Sequence, residues 1–255
     1  MSSGNQSENI GRAPSAATRV GWRPSRKALI AAGVVAILVV VAVVLAVVFS
    51  SNSDSNSSAP LTQGAEVQQL LDGIPQKANL LGASSAPVTL VEYVDLGSPQ
   101  SRDFQTKTMP QIISKYVRPH KVRVELRPLG ALSDESVAGR FALIASGDQD
   151  KMFNVMQLLF LKQGAKNSGW LSADLMKRVG ASVPGLDAKE VIDQSRAGQP
   201  LQRAYGYDDQ AHADRVVAVP TVLVGATGKK LKKVALKSDA DTQTVRAAIQ
   251  SALAS

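Results

Sequence analysis

Cysteine is absent from all 255 residues of this chain. That single absence removes disulfides, thiolate nucleophiles, iron–sulfur clusters and cysteine-type zinc sites. Histidine is nearly absent too: only His120 and His212 occur, so a three-histidine metal site is excluded. Cations are also missing from one stretch: residues 50–76 contain no Lys or Arg. What remains is an apolar content of 44%, enough for a real core and incompatible with a wholly disordered chain. The formal charge is +8, but residues 1–27 hold half of it: Arg12, Arg19, Arg23, Arg26 and Lys27 stand against Glu8 alone. A body that mildly basic gives no argument for nucleic-acid binding.

Ala28 to Phe49 is a run of 22 residues without a polar side chain. At ~1.5 Å per residue a helix of that length spans about 33 Å, close to the ~30 Å hydrocarbon layer of a bilayer. Five cations precede the run, whereas the 27 residues after it carry only Asp54, Glu66 and Asp72. The positive-inside rule therefore predicts a single-pass anchor with residues 1–27 as a disordered cytoplasmic tail and everything beyond Ser50 outside. A cleaved signal peptide is the competing reading; its apolar region normally spans ~7–15 residues and ends in small ones. Here the run is longer and closes on Val47-Val48-Phe49-Ser50. Residues 50–64, opening with SSNSDSNSS, read as a Ser-rich flexible linker, and residues 65–255 as the folded domain.

Within that domain, Val88–Val94 (VTLVEYV) is β-rich and follows Pro87, which predicts a buried strand. Ser98-Pro99 then opens a helical pattern with Phe104, Ile112, Ile113, Tyr116 and Val117 on one face, and Pro110 predicts a kink in it. Val122, Val124 and Leu126 alternate with charges, a second strand, so the three pieces form a right-handed parallel βαβ unit. A helical block occupies about 131–213, with Val137, Phe141, Ile144 and Ala145 as one stripe. Met152, Met156 and Phe160 are core at helical spacing, and Trp170 packs in the same block. A hairpin follows, expected as Pro220–Val224, a turn over 225–228 and a strand over Leu231–Leu236, and a last helix starts near Asp239.

The runs APVTLVEYVD at 86–95, SPQSR at 98–102, KYV at 115–117, KVRV at 121–124 and VPTV at 219–222 together resemble the DsbA-like family of thioredoxin-fold thiol–disulfide oxidoreductases. The lead-in LDGIPQ at 71–76 is similar to membrane-anchored bacterial members. The resemblance implies an α/β thioredoxin-like fold with a helical insertion, behind a single transmembrane helix in a bacterial plasma membrane. It also implies a Cys-Pro-x-Cys turn faced by a cis X-Pro peptide. Here Ser98 and Ser101 stand at the two cysteine positions, and Val219-Pro220 at the cis peptide. Dithiol exchange needs sulfur at both positions, so the expectation is a redox-inactive domain with no catalytic residue, no metal and no cofactor.

Two roles are open for Ser98. With Pro99 behind it, it fits a helix N-cap followed by proline at the first helical position. Alternatively it is a nucleophile with His212 as base, although no G-x-S-x-G elbow surrounds it. Pro220 can likewise be a proline at a strand start. The expected site is a peptide-binding groove formed by Ser98, Pro99, Gln100 and Ser101 on one side and Val219, Pro220 and Thr221 on the other. Its expected occupant is an extended segment of an exported protein; a DsbA-like oxidoreductase is the second reading. Lys229-Lys230-Leu231-Lys232-Lys233 either guards an edge strand or touches anionic lipid or wall polymer. The sequence sets no oligomeric state.

Overall fold

A computed structural model describes residues 59–255; the expected tail 1–27, apolar segment 28–49 and linker residues 50–58 lie outside the described residues. Among the described residues no helix is long and apolar enough to cross a membrane. The fold is already under way inside the segment read as linker. Leu61 is 3% exposed in the core, its amide held by Ser182 Oγ at 2.6 Å, and helix α1 runs from Gly64 to Leu71.

The first strand of the βαβ unit is β3 (Val88–Asp95), buried at all eight positions. Two short strands precede it, β1 (Gln76–Lys77) and β2 (Leu80–Leu81), which sequence patterning did not reveal. β4 (Val122–Leu129) lies parallel to β3, in register from Val88↔Val122 to Asp95↔Leu129. Its alternating burial puts Val122, Val124 and Leu126 inward, as expected, but it extends three residues past Leu126. β5 (Thr221–Ala226) pairs antiparallel with the other side of β3, and β6 (Lys232–Lys233) closes the edge. The six-stranded order is β1-β2-β4-β3-β5-β6. The expected hairpin is thus corrected at both arms. Gly225 belongs to β5, the turn moves to Thr227–Lys229 with Gly228 at φ +79°, and only two residues of the second arm pair.

Between β3 and β4 the chain is helical over 99–117, but not uniformly. α2 (Pro99–Asp103) passes into a π-helical stretch (Phe104–Thr108), then α3 (Met109–Ile112) and a second π-helical stretch (Ile113–Val117). Pro110 has no amide to continue the ladder, and the Met109 amide reaches back five residues to the Phe104 carbonyl. The disturbance expected at Pro110 is therefore a pair of widened turns flanking it.

The helical insertion consists of α4 (Asp134–Asp148), α5 (Met152–Leu161), α6 (Ala173–Ser182), α7 (Ala188–Arg196) and α8 (Leu201–Ala213). α9 (Thr242–Leu253) ends the fold, starting after its N-cap Asp241 rather than at Asp239. Val88, Leu90 and Val94 of β3 face the main core with Phe104, Ile112, Val245 and Ile249. Val91 and Tyr93 face the opposite side, with Leu223 and Ala211 of α8. Met152, Met156 and Phe160 are buried in the main core, and Trp170 packs against it.

Candidate functional site

The carboxyl end of β3 is where the two halves of the chain meet. Ser98 has extended backbone (φ −98°, ψ 114°) and caps the helix: its hydroxyl accepts the Ser101 amide at 3.1 Å, and Pro99 occupies the first turn. The cap expectation is met, since an orphan amide at a helix start takes a side-chain acceptor. The same hydroxyl faces two acceptors, Gln100 Oε1 at 3.2 Å and the Val219 carbonyl at 3.4 Å. Ser101 is fully buried, and its hydroxyl accepts the Asp95 amide at 3.3 Å. The Val219–Pro220 peptide is cis, as expected from its resemblance. His212 lies exposed near the end of α8 and does not line the cleft beside Ser98, so the nucleophile–base pairing is not formed; His120 is an exposed loop residue at φ +59°.

Several residues that sequence reasoning did not single out hold this junction. Asp95, 1% exposed, spends both carboxylate oxygens on the loops around it. Oδ1 accepts the Gly97 amide at 2.7 Å and the Ser136 hydroxyl, and Oδ2 accepts the Ala131 amide at 2.8 Å. Ser133 in turn caps α4 by accepting the Ser136 amide at 3.1 Å. Gln163 Nε2 donates to the carbonyls of Leu96 (2.6 Å) and Ser98 (3.1 Å), bracing the turn from the far side. Gly97 is required by proximity: a Cβ there would collide with the Ser136 hydroxyl and come within 2.9 Å of Ser133 Oγ. On the other face, the Tyr93 hydroxyl donates to Asp214 Oδ2 at 2.7 Å, and Arg127 joins Asp214 (3.1 Å) to Glu125 (2.8 Å). Burial pushes the Tyr93 phenol upward, and the Asp214 hydrogen bond adds to it. This network fixes the residue immediately before the 215–220 loop.

Beneath the helix, Glu92 is fully buried and pushed up to about 8 by desolvation, with the Gln105 hydrogen bond (2.8 Å) acting the other way. Its second oxygen has no partner, and Gln157 Nε2 contacts the Gln105 carboxamide at 3.3 Å. A carboxylate inside the apolar run VTLVEYV was the available sequence signal.

Above Ser98 opens a cleft of about 810 Å³. Ser98 and Gln100 form one wall and Val216 to Pro220 the other, with Leu129, Leu132 and Leu236 along the sides. Of the expected groove residues, Ser98, Gln100, Val219 and Pro220 line it; Pro99, Ser101 and Thr221 are not among its lining residues. Val217 is 94% exposed and Leu132 40%, so the cleft presents uncovered apolar surface. Among the described residues, the amides of Val217, Ala218 and Val219 have no backbone partner. The cleft can therefore take apolar side chains beside a strand-like main chain. Among the described residues no cluster of three acidic or histidine side chains could hold a metal.

A parallel β3–β4 pair joined by a helix, an antiparallel β5 beside it, a terminal helix and a cis-proline loop facing the start of α2 define a thioredoxin-like α/β fold with a helical insertion. A family model described as thioredoxin matches residues 76–250, and the chain belongs to that family. It is 22% identical over 147 residues to a probable disulfide bond formation protein D of Bacillus anthracis, covering 56% of this chain and 68% of the relative. Its fold is similar to oxidised BdbD from Bacillus subtilis (TM-score 0.60, 19% identity, 71% of this chain and 98% of that one). It is also similar to DsbA from Chlamydia trachomatis (TM-score 0.57, 16% identity, 68% and 90%).

Proposed function

We propose that this chain is a membrane-anchored, extracytoplasmic thioredoxin-family domain that has lost dithiol chemistry and works by binding an extended segment of another exported protein. The carrying observation is Ser98 and Ser101 at the helix start, with the Ser98 hydroxyl facing the Val219 carbonyl, in a chain without a cysteine. Relatives named for disulfide bond formation favour an oxidoreductase, but that chemistry needs a thiolate, and a serine hydroxyl is scarcely ionised at neutral pH and forms no disulfide. The hydroxyls are also engaged as acceptors for the Ser101 and Asp95 amides, which is a structural use. Peptide capture asks for less: apolar walls and free main-chain groups, and the cleft offers both. The anchor is residues 28–49, with residues 1–27 cytoplasmic, on the charge asymmetry around the apolar run.

Photo-crosslinking from position 100, on the cleft wall, tests the reading. Capture of exported polypeptides at position 100, and not at an exposed control position such as 202, is the expected result. No capture above that control sinks the binding role. Insulin reduction by the full chain in detergent is expected to equal a no-protein blank, and turnover above it sinks the redox-inactive assignment.

A further inference from the structure

The described residues carry a net charge of +5, and all of it sits in one place. Lys229, Lys230, Lys232, Lys233 and Lys237 fall within nine residues that contain no acid, and everything else from 59 to 255 holds nineteen basic against nineteen acidic residues. All five lysines are exposed, whereas Leu231, Val234 and Leu236 of the same arm turn inward and pack against the two cores. The arm is thus pinned on one side and cationic on the other. Among the described residues no carboxylate forms a salt bridge with Lys229, Lys230, Lys232 or Lys233, while Lys237 lies beside Asp241, whose Oδ2 accepts the Lys237 amide at 2.8 Å. Lys233 donates only to the Arg215 carbonyl, at 2.8 Å, which brings a sixth basic residue alongside.

Edge protection accounts for charges on the edge strand itself. β6, however, contains only Lys232 and Lys233. Lys229, Lys230 and Lys237 lie off the paired segment and need another explanation.

We infer that this arm, residues 229–237, is a docking surface for an anionic lipid bilayer. Clustered lysines without a salt-bridged carboxylate, as Lys229, Lys230, Lys232 and Lys233 are, are attracted to a negatively charged headgroup layer and lose that attraction beyond a Debye length. The bilayer, rather than a soluble polyanion, follows from the sequence reading of residues 28–49 as an anchor. Only nine residues separate that segment from Ala59, and nine residues span at most about 30 Å. The inference rests on charge placement and on the anchor it shares with the proposed function; Leu236 and Lys237 at the end of the arm also line the peptide cleft, whereas Lys229, Lys230, Lys232 and Lys233, the residues changed below, do not.

The absence of cysteine makes the test clean. Ala235, exposed and between the lysines, is changed to Cys as the single thiol of the full chain and labelled with a fluorophore. The protein is reconstituted in vesicles bearing a headgroup quencher, either zwitterionic or with about a third phosphatidylglycerol. The expected result is quenching roughly threefold greater in anionic vesicles, falling to the zwitterionic level near 1 M salt, where screening reaches about 3 Å. Combining the label with K229E, K230E, K232E and K233E is expected to abolish the difference, and the salt titration on the parent stands alone if that variant misfolds. Equal quenching in both lipids, or a difference insensitive to salt, overturns the inference. So does binding to a soluble polyanion that leaves the label unquenched by anionic vesicles. Co-flotation with zwitterionic vesicles at high salt reports the anchor separately.

Discussion

The Ser98 hydroxyl faces the Val219 carbonyl at 3.4 Å, joining residues 121 positions apart in the chain. It is also the N-cap of the helix that follows. One side chain therefore ties the start of α2 to the loop entering β5, and changes to it report on both.

Ser98→Ala removes the acceptor for the Ser101 amide. Loss of a serine cap costs about 1 kcal/mol, which for a domain of this size lowers the melting temperature by roughly 2–4 °C. Thermal denaturation followed by circular dichroism reads it. Ser98→Asp, which keeps an acceptor, is expected to fall by less, and equal losses would show that the cap is not the cause.

Replacing Ser98 and Ser101 together by cysteine is expected to create a dithiol that closes to a disulfide and exchanges with glutathione. The thiol at 98 should ionise below the ordinary ~8.5, because the Ser101 amide points at it and helix starts favour thiolates. Mass spectrometry and thiolate ultraviolet absorbance across pH measure the two properties. A folded double variant that stays reduced under an oxidising glutathione buffer contradicts the placement.

Glu92 makes stability depend on pH in a fixed direction. Its carboxyl goes from an ordinary 4.5 to about 8 on folding, so between those values the folded state holds a proton that the unfolded state releases. Stability is accordingly full below 4.5 and declines as pH rises toward 8. At about 1.4 kcal/mol per pH unit this amounts to several kcal/mol. Denaturant melts of Glu92→Gln should match the parent near pH 4.5 and be more stable above pH 8. Parallel curves for the two proteins would show that Glu92 does not titrate in this way.

Gly97→Ala tests the contact between the turn and α4. The added methyl meets the hydroxyls of Ser136 and Ser133, and overpacking of this kind typically costs about 1–3 kcal/mol. Chemical denaturation reads the loss. Ser136→Ala in the same background should recover part of it, because it removes the nearer obstacle at the expense of one Asp95 hydrogen bond.

The elements legible in sequence were those with a strong burial pattern. Val88–Val94 is an unbroken buried run, and Val122, Val124 and Leu126 alternate cleanly because β4 presents its other side to partly exposed Arg123, Glu125 and Arg127. Ser98-Pro99 was readable as a cap because its chemistry is local. β1 and β2 were not, since two-residue strands have no period, and α1 is only eight residues long, too short for Val67 and Leu71 to establish one. β6 was overextended because Leu231, Val234 and Leu236 look like strand residues, though they pin by packing an arm of which only Lys232 and Lys233 pair as a strand. The supports of the site were hidden for a different reason. Asp95 meets Ser136 and Gln163 meets Leu96 over separations of 41 and 67 residues, and no local pattern encodes such pairs.

The order of the strands has a consequence for biogenesis. β5 sits beside β3, yet more than 120 residues, including all five inserted helices, are synthesised between the end of one and the start of the other. The flank of β3 that β5 will occupy stays vacant on the emerging polypeptide throughout that interval. Only when the final quarter of the molecule arrives does the loop at Val219 come to rest against Ser98, so the cleft between them is a property of the finished fold and not of the nascent chain.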